Sequence, residues 1–335
     1  MNSIDRIKAA VNFKTPDRVP VIAQVFAHAA IHAGATIREY IQNGELLASC
    51  QLQALKYYGY DAVFSVMDVS VETEALGSVL TYRENQYPYI QSYAFSPGSN
   101  INALSVPNPN QDGRMPQMLK AINILNKEVG KEVLVVGCVL GPMTVITQLM
   151  GMEKALYLAI DDHAQFARLL DFAVEVVICF GTAQIESGAH LPVVFDPAAS
   201  SAVIPPQFFR EFELPRLKRV FTALKSAGAI ANWLHIAGPV ESILSFYPQA
   251  GVDIANFDYC VDPHLVQEKL LHTCLDGNIK PLSFVEDTPE NIAARSSELK
   301  SIFAQRCGWI LSSGCEIPPE SKPENIMAMV SAVHR

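Results

Sequence analysis

A histidine and a cysteine follow two apolar segments of the sequence in a way that suggests a reactive site. His235 closes the segment "AIANWLHI", and Cys315 follows "GWILSS" in the string "SSGCEIPP". An imidazole nitrogen and a thiolate sulfur are a combination that binds zinc, and a catalytic zinc takes about three protein ligands with one position left open. Two ligands are too few, so another strand end must supply the rest.

Further polar side chains stand at the ends of apolar segments: Gln24, His28, Asp68, Asp196, Asp258 and Asn278. In a parallel barrel the reacting groups lie at the carboxyl ends of the strands, so these residues predict a polar pocket. Three of them also have an ordinary structural explanation. Asp68 and Asp196 suit the capping of a turn, and His28 with His32 suits packing as well as a metal pair.

The elements that would position these residues alternate between short apolar runs and helix-like stretches. We predict strands at 19–25, 61–66, 132–139, 191–196, 229–236, 252–257, 273–279 and 308–313. We predict helices at 36–58, 142–160, 163–188, 206–227, 239–250, 262–272, 288–304 and 323–334. Such alternation, with nearly continuous apolar strands, predicts a parallel sheet that is covered on both faces.

Eight units of this kind favour a closed (β/α)₈ TIM barrel over an open doubly wound sheet. The segment "AQVFAHAAIHAG" after the first run lacks the G-x-G-x-x-G turn that would favour the open sheet. An insertion at about 78–116 interrupts the pattern with a predicted hairpin at 78–95 and a Pro- and Asn-rich loop. Residues 1–335 show no linker, low-complexity tract or internal repeat, which predicts a single domain.

Composition narrows the function classes. The 335 residues include 25 Lys and Arg against 34 Asp and Glu, and a net charge of −9 argues against a nucleic-acid partner. The chain shows no pattern of a signal peptide and no run of eighteen apolar residues, so we expect a soluble, cytoplasmic protein without a membrane partner. Seven cysteines without framework spacing predict reduced, mostly buried thiols.

Several strings jointly resemble the uroporphyrinogen decarboxylase superfamily over nearly the whole chain. They are "TPDRVPV", "VETEALG", "VPNPNQDGRMP", "GPMTVITQLMG", "FDPAASSAVIPPQFFREFELPRLKR", "LHIAG", "DGNIKP" and "SSGCEIPPESKPENI". Within that superfamily the sequence is similar to the corrinoid-dependent methyltransferases, a branch that includes the methylcobamide:coenzyme M methyltransferases. The resemblance implies a (β/α)₈ barrel, in agreement with the strand count.

The resemblance also argues against the activity for which the superfamily is named. The decarboxylase branch carries an "R-Q-A-G-R-Y" segment after the first strand, which grips substrate carboxylates. Here the corresponding segment contains no arginine before Arg38, so a tetrapyrrole with many carboxylates would lose its clamp. A decarboxylase-type lyase stays as an alternative, as does a non-catalytic paralogue that binds a small molecule or a corrinoid protein.

The methyltransferase branch carries H-x-C-G after the fifth strand and a cysteine in the last strand-end segment, which together hold zinc. His235 and Cys315 match the first and last ligands, whereas Ala237 stands at the middle position. In the favoured hypothesis zinc is retained and Asp258 or Cys260 replaces the missing ligand, because a surviving histidine and cysteine are most simply explained by a surviving metal site.

Two other hypotheses remain open. In one, Asp196, Asp258 and His235 bind substrate without a metal. In the other, catalysis is lost and the fold is kept.

The zinc hypothesis implies a mechanism. Zinc would hold an acceptor thiol as thiolate at neutral pH, and the thiolate would attack the methyl group of a methylcorrinoid. Another member of the branch would deliver a methyl group to reduced corrinoid instead. Asp196 and Asp258 are then the candidate catalytic residues that orient the ligands or the acceptor, and the candidate substrate-binding residues are Gln24, His28, Asp68 and Asn278.

The corrinoid is expected on a separate partner protein. The base-off signature D-x-H-x-x-G is absent, since the nearest string, "DDHAQFA", lacks the glycine. The expected partners are therefore a corrinoid-binding protein and a small methyl donor or acceptor, with the 78–116 insertion contributing to the docking face.

Overall fold

A parallel sheet of eight strands forms the centre of the molecule, which we describe over residues 1–334 of a computed structural model. The strands of this sheet are β1 (Val21–Ile22), β2 (Ala62–Phe64), β5 (Leu134–Leu140), β6 (Leu191–Phe195), β7 (Trp233–His235), β8 (Ile254–Asn256), β9 (Cys274–Ile279) and β10 (Trp309–Ser313). Their order is β1-β10-β9-β8-β7-β6-β5-β2, and every pairing in it is parallel. All eight predicted strands are present, and the predicted (β/α)₈ TIM barrel is confirmed.

Helices connect the strands and cover the outside of the barrel. They are α1 (Ser3–Val11), α2 (Ala27–His32), α3 (Ile37–Tyr40), α4 (Gly44–Tyr58), α5 (Val71–Ala75), α6 (Met115–Val129), α7 (Pro142–Met150), α8 (Met152–Asp161), α9 (His163–Glu186), α10 (Pro206–Phe208), α11 (Leu214–Ser226), α12 (Tyr247–Ala250), α13 (Pro263–Lys269), α14 (Ser283–Glu286), α15 (Pro289–Ile302) and α16 (Pro323–Ser331). Short 3₁₀ turns lie at Ile101–Ala103, Pro197–Ala199 and Leu244–Phe246, and a π-helical turn at Phe209–Glu213 precedes α11.

Local chemistry divides two of the predicted helices. Asn43 accepts hydrogen bonds from the first turn of α4 and so begins a new helix after α3. Gly151, whose φ of +90° suits glycine, separates α7 from α8. The predicted helix at 239–250 is reduced to a 3₁₀ turn and α12, because Pro248 has no backbone N–H and cannot continue the hydrogen bonds of a helix that begins before it.

The insertion contains the predicted hairpin, whose strands are β3 (Val79–Arg83) and β4 (Gln86–Ser92) in antiparallel pairing. The fifteen-residue helix α6 follows it and was not among the predicted helices. Its signal is present in the sequence, since Met118, Ile122 and Leu125 repeat at helical spacing and are buried. Pro116 in the first turn suits a helix start, where its missing N–H is not needed.

The barrel is closed at the amino-terminal ends of β1 and β2 by Asp61. The backbone N–H of Asp61 donates to the Val21 carbonyl (2.8 Å), and the Val21 N–H donates to the Asp61 carboxylate (2.8 Å). The guanidinium groups of Arg6 (2.8 Å) and Arg18 (2.7 Å) neutralise the same buried carboxylate. One side chain therefore joins the two edge strands of the sheet to α1 and to the segment before β1.

No helix in residues 1–334 is both long enough and apolar enough to cross a membrane.

We predict that Asp61→Asn destabilises the protein by about 3 kcal/mol, because Arg18 loses its carboxylate partner and the buried Arg6 keeps only Asp17. Urea unfolding measures the change. Glu298→Gln is the matched control, since its carboxylate makes an exposed ion pair with Arg295, and we expect no measurable shift there. Equal unfolding midpoints for the two variants would contradict the role of Asp61 in closure.

Candidate active site

A cavity of about 230 Å³ lies at the carboxyl ends of the barrel strands. Its polar wall consists of Asp68, Tyr87, Cys138, His235, Cys315 and Glu316. Its apolar wall includes Phe26, Val66, Phe195 and Ala237. These residues belong to or follow strands that are far apart in sequence, and closure of the barrel brings them together. In barrels of this kind the reacting groups lie at this carboxyl-terminal end.

His235 ends β7 and is only 2% exposed. Neither ring nitrogen has a hydrogen-bond partner among residues 1–334. The edge of the ring meets Phe195, with centroids 4.6 Å apart. Burial lowers the pKa of His235 to about 3, so the imidazole is neutral at physiological pH. A buried polar group without partners is costly, and a bound ligand would satisfy it.

Cys315 follows β10 and lines the same cavity. The structure therefore brings together the histidine and the cysteine that the sequence singles out. Burial, assisted by the nearby Asp258 and Glu316 carboxyl groups, raises the pKa of the Cys315 thiol to about 12. Without a neighbouring cation this side chain stays a thiol at neutral pH, and a thiol is a poor nucleophile.

The set of possible metal ligands is incomplete. Ala237 lines the cavity with a methyl group at the position of the expected third ligand. The Asp258 carboxylate accepts hydrogen bonds from the N–H groups of Gly238 (2.8 Å) and Tyr259 (2.7 Å), and Cys260 is exposed and lies outside the cavity wall. In the part of the chain that the structure describes, no three His, Cys, Asp or Glu side chains are grouped to hold a metal ion. The residues present do not fit the three-ligand zinc site that the sequence suggests.

Asp196 is fully buried behind the cavity wall rather than in it. Its carboxylate accepts hydrogen bonds from the Thr144 N–H (2.8 Å) and hydroxyl (2.6 Å) in the first turn of α7. Its own N–H donates to the His235 carbonyl (2.9 Å). Burial raises the pKa of Asp196 and of Glu213 in the π-helical turn, and the nearby Asp196 carboxylate raises the pKa of Glu213 further.

Gln24 and Asn278 are buried in the barrel, with their amide nitrogens bound inside the protein. Gln24 donates to the Ser313 carbonyl (3.0 Å), and Asn278 donates to the carbonyls of Val261 (3.0 Å) and Asp258 (3.2 Å). The amide oxygen of each lacks a partner among residues 1–334. Neither residue lies in the wall of the 230 Å³ cavity.

His28 lies on α2, and both of its ring nitrogens are used within the protein. Nδ1 bonds to the Pro319 carbonyl (3.0 Å) and Nε2 to the Tyr58 hydroxyl (2.7 Å). The ring stacks on His32, with centroids 6.1 Å apart. Burial lowers the pKa of His28, which suits a packed, neutral histidine.

Asp68 is the predicted substrate-binding residue that does line the cavity. Both carboxylate oxygens contact the Arg114 guanidinium, and one also accepts from the backbone and hydroxyl of Ser70. Arg114 in turn bonds to Glu74 (2.6 Å). This ion-pair network neutralises Asp68 and fastens the end of the insertion to the cavity rim.

Three polar residues of the cavity wall were missed from the sequence. Glu316 accepts hydrogen bonds from the Tyr87 hydroxyl (2.5 Å) and the Ala27 N–H (3.3 Å), and burial raises the pKa of Glu316 to about 7. The position of Glu316 directly after Cys315 is the sequence feature that could have identified it as a cavity residue. Tyr87 lies on β4 and Cys138 on an apolar strand, where neither residue is distinguishable from ordinary packing.

Residues 2–335 match the family model described as uroporphyrinogen decarboxylase (URO-D). The chain belongs to this family. The resemblance inferred from the sequence motifs is thereby confirmed.

The similar proteins include methyltransferases and decarboxylases. The methylcobamide:CoM methyltransferase MtaA of Methanosarcina barkeri is 27% identical over 98% of this chain and 96% of its own length. A uroporphyrinogen decarboxylase of Syntrophotalea carbinolica is 26% identical over 89% of this chain and 86% of its own. A solved methyltransferase from Methanosarcina mazei superposes with a TM-score of 0.90 at 27% identity, covering 99% of this chain and 98% of that one. The expectation of a URO-D family enzyme from the methyltransferase branch agrees with these relatives.

We predict that Tyr87→Phe loosens the hairpin from the cavity, because the Glu316 carboxyl loses its hydroxyl donor. Loss of a bond worth about 1 kcal/mol should speed amide exchange in β3 and β4 by about fivefold, as measured by hydrogen–deuterium exchange. Tyr89→Phe is the matched control on the same strand, since Tyr89 is 48% exposed. Identical exchange in the two variants would show that the Tyr87–Glu316 contact does not hold the hairpin.

Proposed function

We propose that this protein is a methyltransferase that moves a methyl group between a corrinoid on a separate protein and a small molecule bound in the cavity. The observation that carries the proposal is that His235 and Cys315, from the ends of two different strands, line one small cavity at the barrel mouth, and that both nitrogens of His235 lack partners within residues 1–334. The likeness to methylcobamide:CoM methyltransferases over nearly the whole chain supports the same reaction class.

The chemical roles follow from the surroundings of each side chain. His235 is a neutral hydrogen-bonding group that holds the polar atom of the small molecule. Cys315 contributes a polarisable thiol to the wall beside it. In this proposal Asp196 and Asp258 are positioning residues, because the former holds the first turn of α7 and the His235 backbone, and the latter holds Gly238 next to Ala237.

The remaining predicted substrate-binding residues fall into two groups. Asp68 borders the bound molecule directly, whereas Gln24, His28 and Asn278 support the barrel mouth through internal hydrogen bonds.

Decarboxylation of a large tetrapyrrole fits this cavity poorly. Its volume of about 230 Å³ is below the range of roughly 300–1,000 Å³ that drug-sized ligands occupy. Neither Lys nor Arg occurs in the wall formed by the described residues, so substrate carboxylates would meet no cation there. Similarity to uroporphyrinogen decarboxylases therefore reflects the shared family rather than the preferred reaction.

The side chains near the cavity do not support the zinc site that the sequence suggests. His235 and Cys315 provide two ligands, Ala237 provides none, and Asp258 is bound to backbone N–H groups. A catalytic zinc site takes about three protein ligands. We therefore place no step of the reaction on a metal ion.

We predict that the wild-type protein, purified without chelator, contains zinc well below one ion per chain, whereas Ala237→Cys acquires stoichiometric zinc. The new thiolate would complete a ligand set with His235 and Cys315. Ala237→Ser is the matched control and should stay metal-poor, as should the double variant Ala237→Cys/Cys315→Ala. Metal analysis that found stoichiometric zinc in the wild-type protein would show that another group supplies the third ligand.

The partner that carries the corrinoid would dock at the barrel mouth. The hairpin is a natural part of that surface, because Tyr87 lines the cavity while Val79, Tyr89 and Tyr93 of the same insertion are about half exposed. Exposed aromatic side chains of this kind are enriched where proteins meet.

Methyl transfer itself is tested with free corrinoids, whose visible absorbance changes when the methyl–cobalt bond forms or breaks. We expect transfer from methylcobalamin to a small acceptor, or from a small methyl donor to reduced cobalamin. His235→Phe and Cys315→Ala should each slow it at least about tenfold, equivalent to 1.4 kcal/mol. His272→Phe, an exposed histidine at the amino end of β9, should leave the rate unchanged.

A parallel assay with uroporphyrinogen III should show no loss of carboxylate. Decarboxylation together with no methyl transfer in either direction would overturn the proposed function.

A further inference from the structure

The size of the cavity limits what it can hold. An engineered apolar cavity of about 150 Å³ binds benzene, so the 230 Å³ measured here accommodates one six-membered ring with a short substituent. A corrin ring is far too large to enter and would sit outside, at the mouth. Under the proposed function, the molecule inside is the small partner of the methyl transfer.

The walls favour a flat, largely apolar body. Phe26 and Phe195 meet edge to face with ring centroids 6.0 Å apart, and both line the cavity with Val66 and Pro88. Aromatic rings prefer stacked or edge-on contacts with other rings, and such pairs are stabilising beyond the area that they bury.

Charge complementarity argues against an ionic ligand. Asp68 is paired with Arg114, and Glu316 accepts hydrogen bonds from Tyr87 and Ala27. An anion would lose its hydration in this cavity, and no Lys or Arg of residues 1–334 lines the wall to balance its charge. A cation would find both carboxyl groups already engaged and would lose its hydration without full compensation.

His235 supplies the remaining specificity. His235 lines the cavity, and both of its ring nitrogens are buried without a hydrogen-bond partner in the described part of the chain. A neutral imidazole offers one N–H donor and one acceptor nitrogen. An ether or hydroxyl oxygen on the ligand matches one of these atoms, and the rest of the ligand contacts apolar surface.

We infer that the cavity binds an uncharged molecule about the size of one substituted aromatic ring, held by a single hydrogen bond between its polar atom and His235. The inference rests on the proposed function in one respect, since it identifies this molecule as the methyl donor or acceptor. Methyl donors and acceptor thiols that carry a sulfonate, a carboxylate or an ammonium group should not bind in this cavity.

A series of four ring compounds of similar size tests the inference by isothermal titration calorimetry, with no corrinoid present. They are methoxybenzene, ethylbenzene, benzoate and benzylammonium. We expect methoxybenzene to bind about fivefold more tightly than ethylbenzene, which lacks the oxygen, and both to bind more tightly than either ion. Binding of benzoate or benzylammonium that equals or exceeds that of methoxybenzene would overturn the inference, as would no binding of either neutral compound at millimolar concentration.

The His235→Phe variant isolates the hydrogen bond while it keeps a ring of similar shape in the wall. Its preference for methoxybenzene over ethylbenzene should disappear, whereas His272→Phe should keep it. A preference that survives in His235→Phe would show that His235 does not hold the oxygen. Should this variant not fold, the four-compound series on the wild-type protein still decides between an uncharged and an ionic ligand.

These binding results separate the inference from the proposed function. The expected order of affinities combined with absent methyl transfer would uphold the ligand class and reject the methyltransferase. Methyl transfer that occurs only with an ionic donor or acceptor would uphold the methyltransferase and reject the uncharged ligand class.

Discussion

The arrangement of the site depends on the closure of the barrel at Asp61. The sheet order ends at β1 and β2, and the hydrogen bonds between Val21 and Asp61 join these edges at the amino-terminal side. Closure fixes how each strand is staggered relative to the next, and the stagger determines which side chains meet at the opposite end. His235 and Cys315, which are far apart in sequence, line one cavity because the strands before them belong to a closed sheet.

Asp61 and His235, buried at opposite ends of the barrel, differ in their hydrogen-bond partners. At the amino-terminal end the Asp61 carboxylate has two guanidinium partners and two backbone or hydroxyl donors. At the carboxyl end His235 is equally buried and has no partner in the described chain. Unsatisfied buried groups cost stability, and a fold retains them chiefly where a ligand completes them. Asp61 thus has the environment of a structural group, whereas His235 has that of a group left for a ligand.

The sequence revealed the strands and the central pair of site residues for the same physical reason. Strands of a parallel sheet covered on both faces are continuous apolar runs, so His235 and Cys315 stand out at their ends. Tyr87 could not be found in this way, because its contact with Glu316 arises only when the hairpin folds over the barrel mouth. Asp196 and Asp258 also follow apolar strands, but their carboxylates turn toward backbone N–H groups, which is the capping behaviour that the sequence could not separate from catalysis.

Ala237 stands where the resemblance implies a cysteine ligand, and this replacement changes the charge of the cavity as well as the number of metal ligands. A thiolate at this position would bring a negative charge that only a bound cation could balance in so apolar a cavity. The methyl group removes that charge and extends the apolar wall next to His235. The alanine removes the third metal ligand, and the unpartnered imidazole of His235 remains to hold the single polar atom of the uncharged ligand that we propose. In this account the surviving histidine does not require a surviving metal site, since it has a different atom to hold.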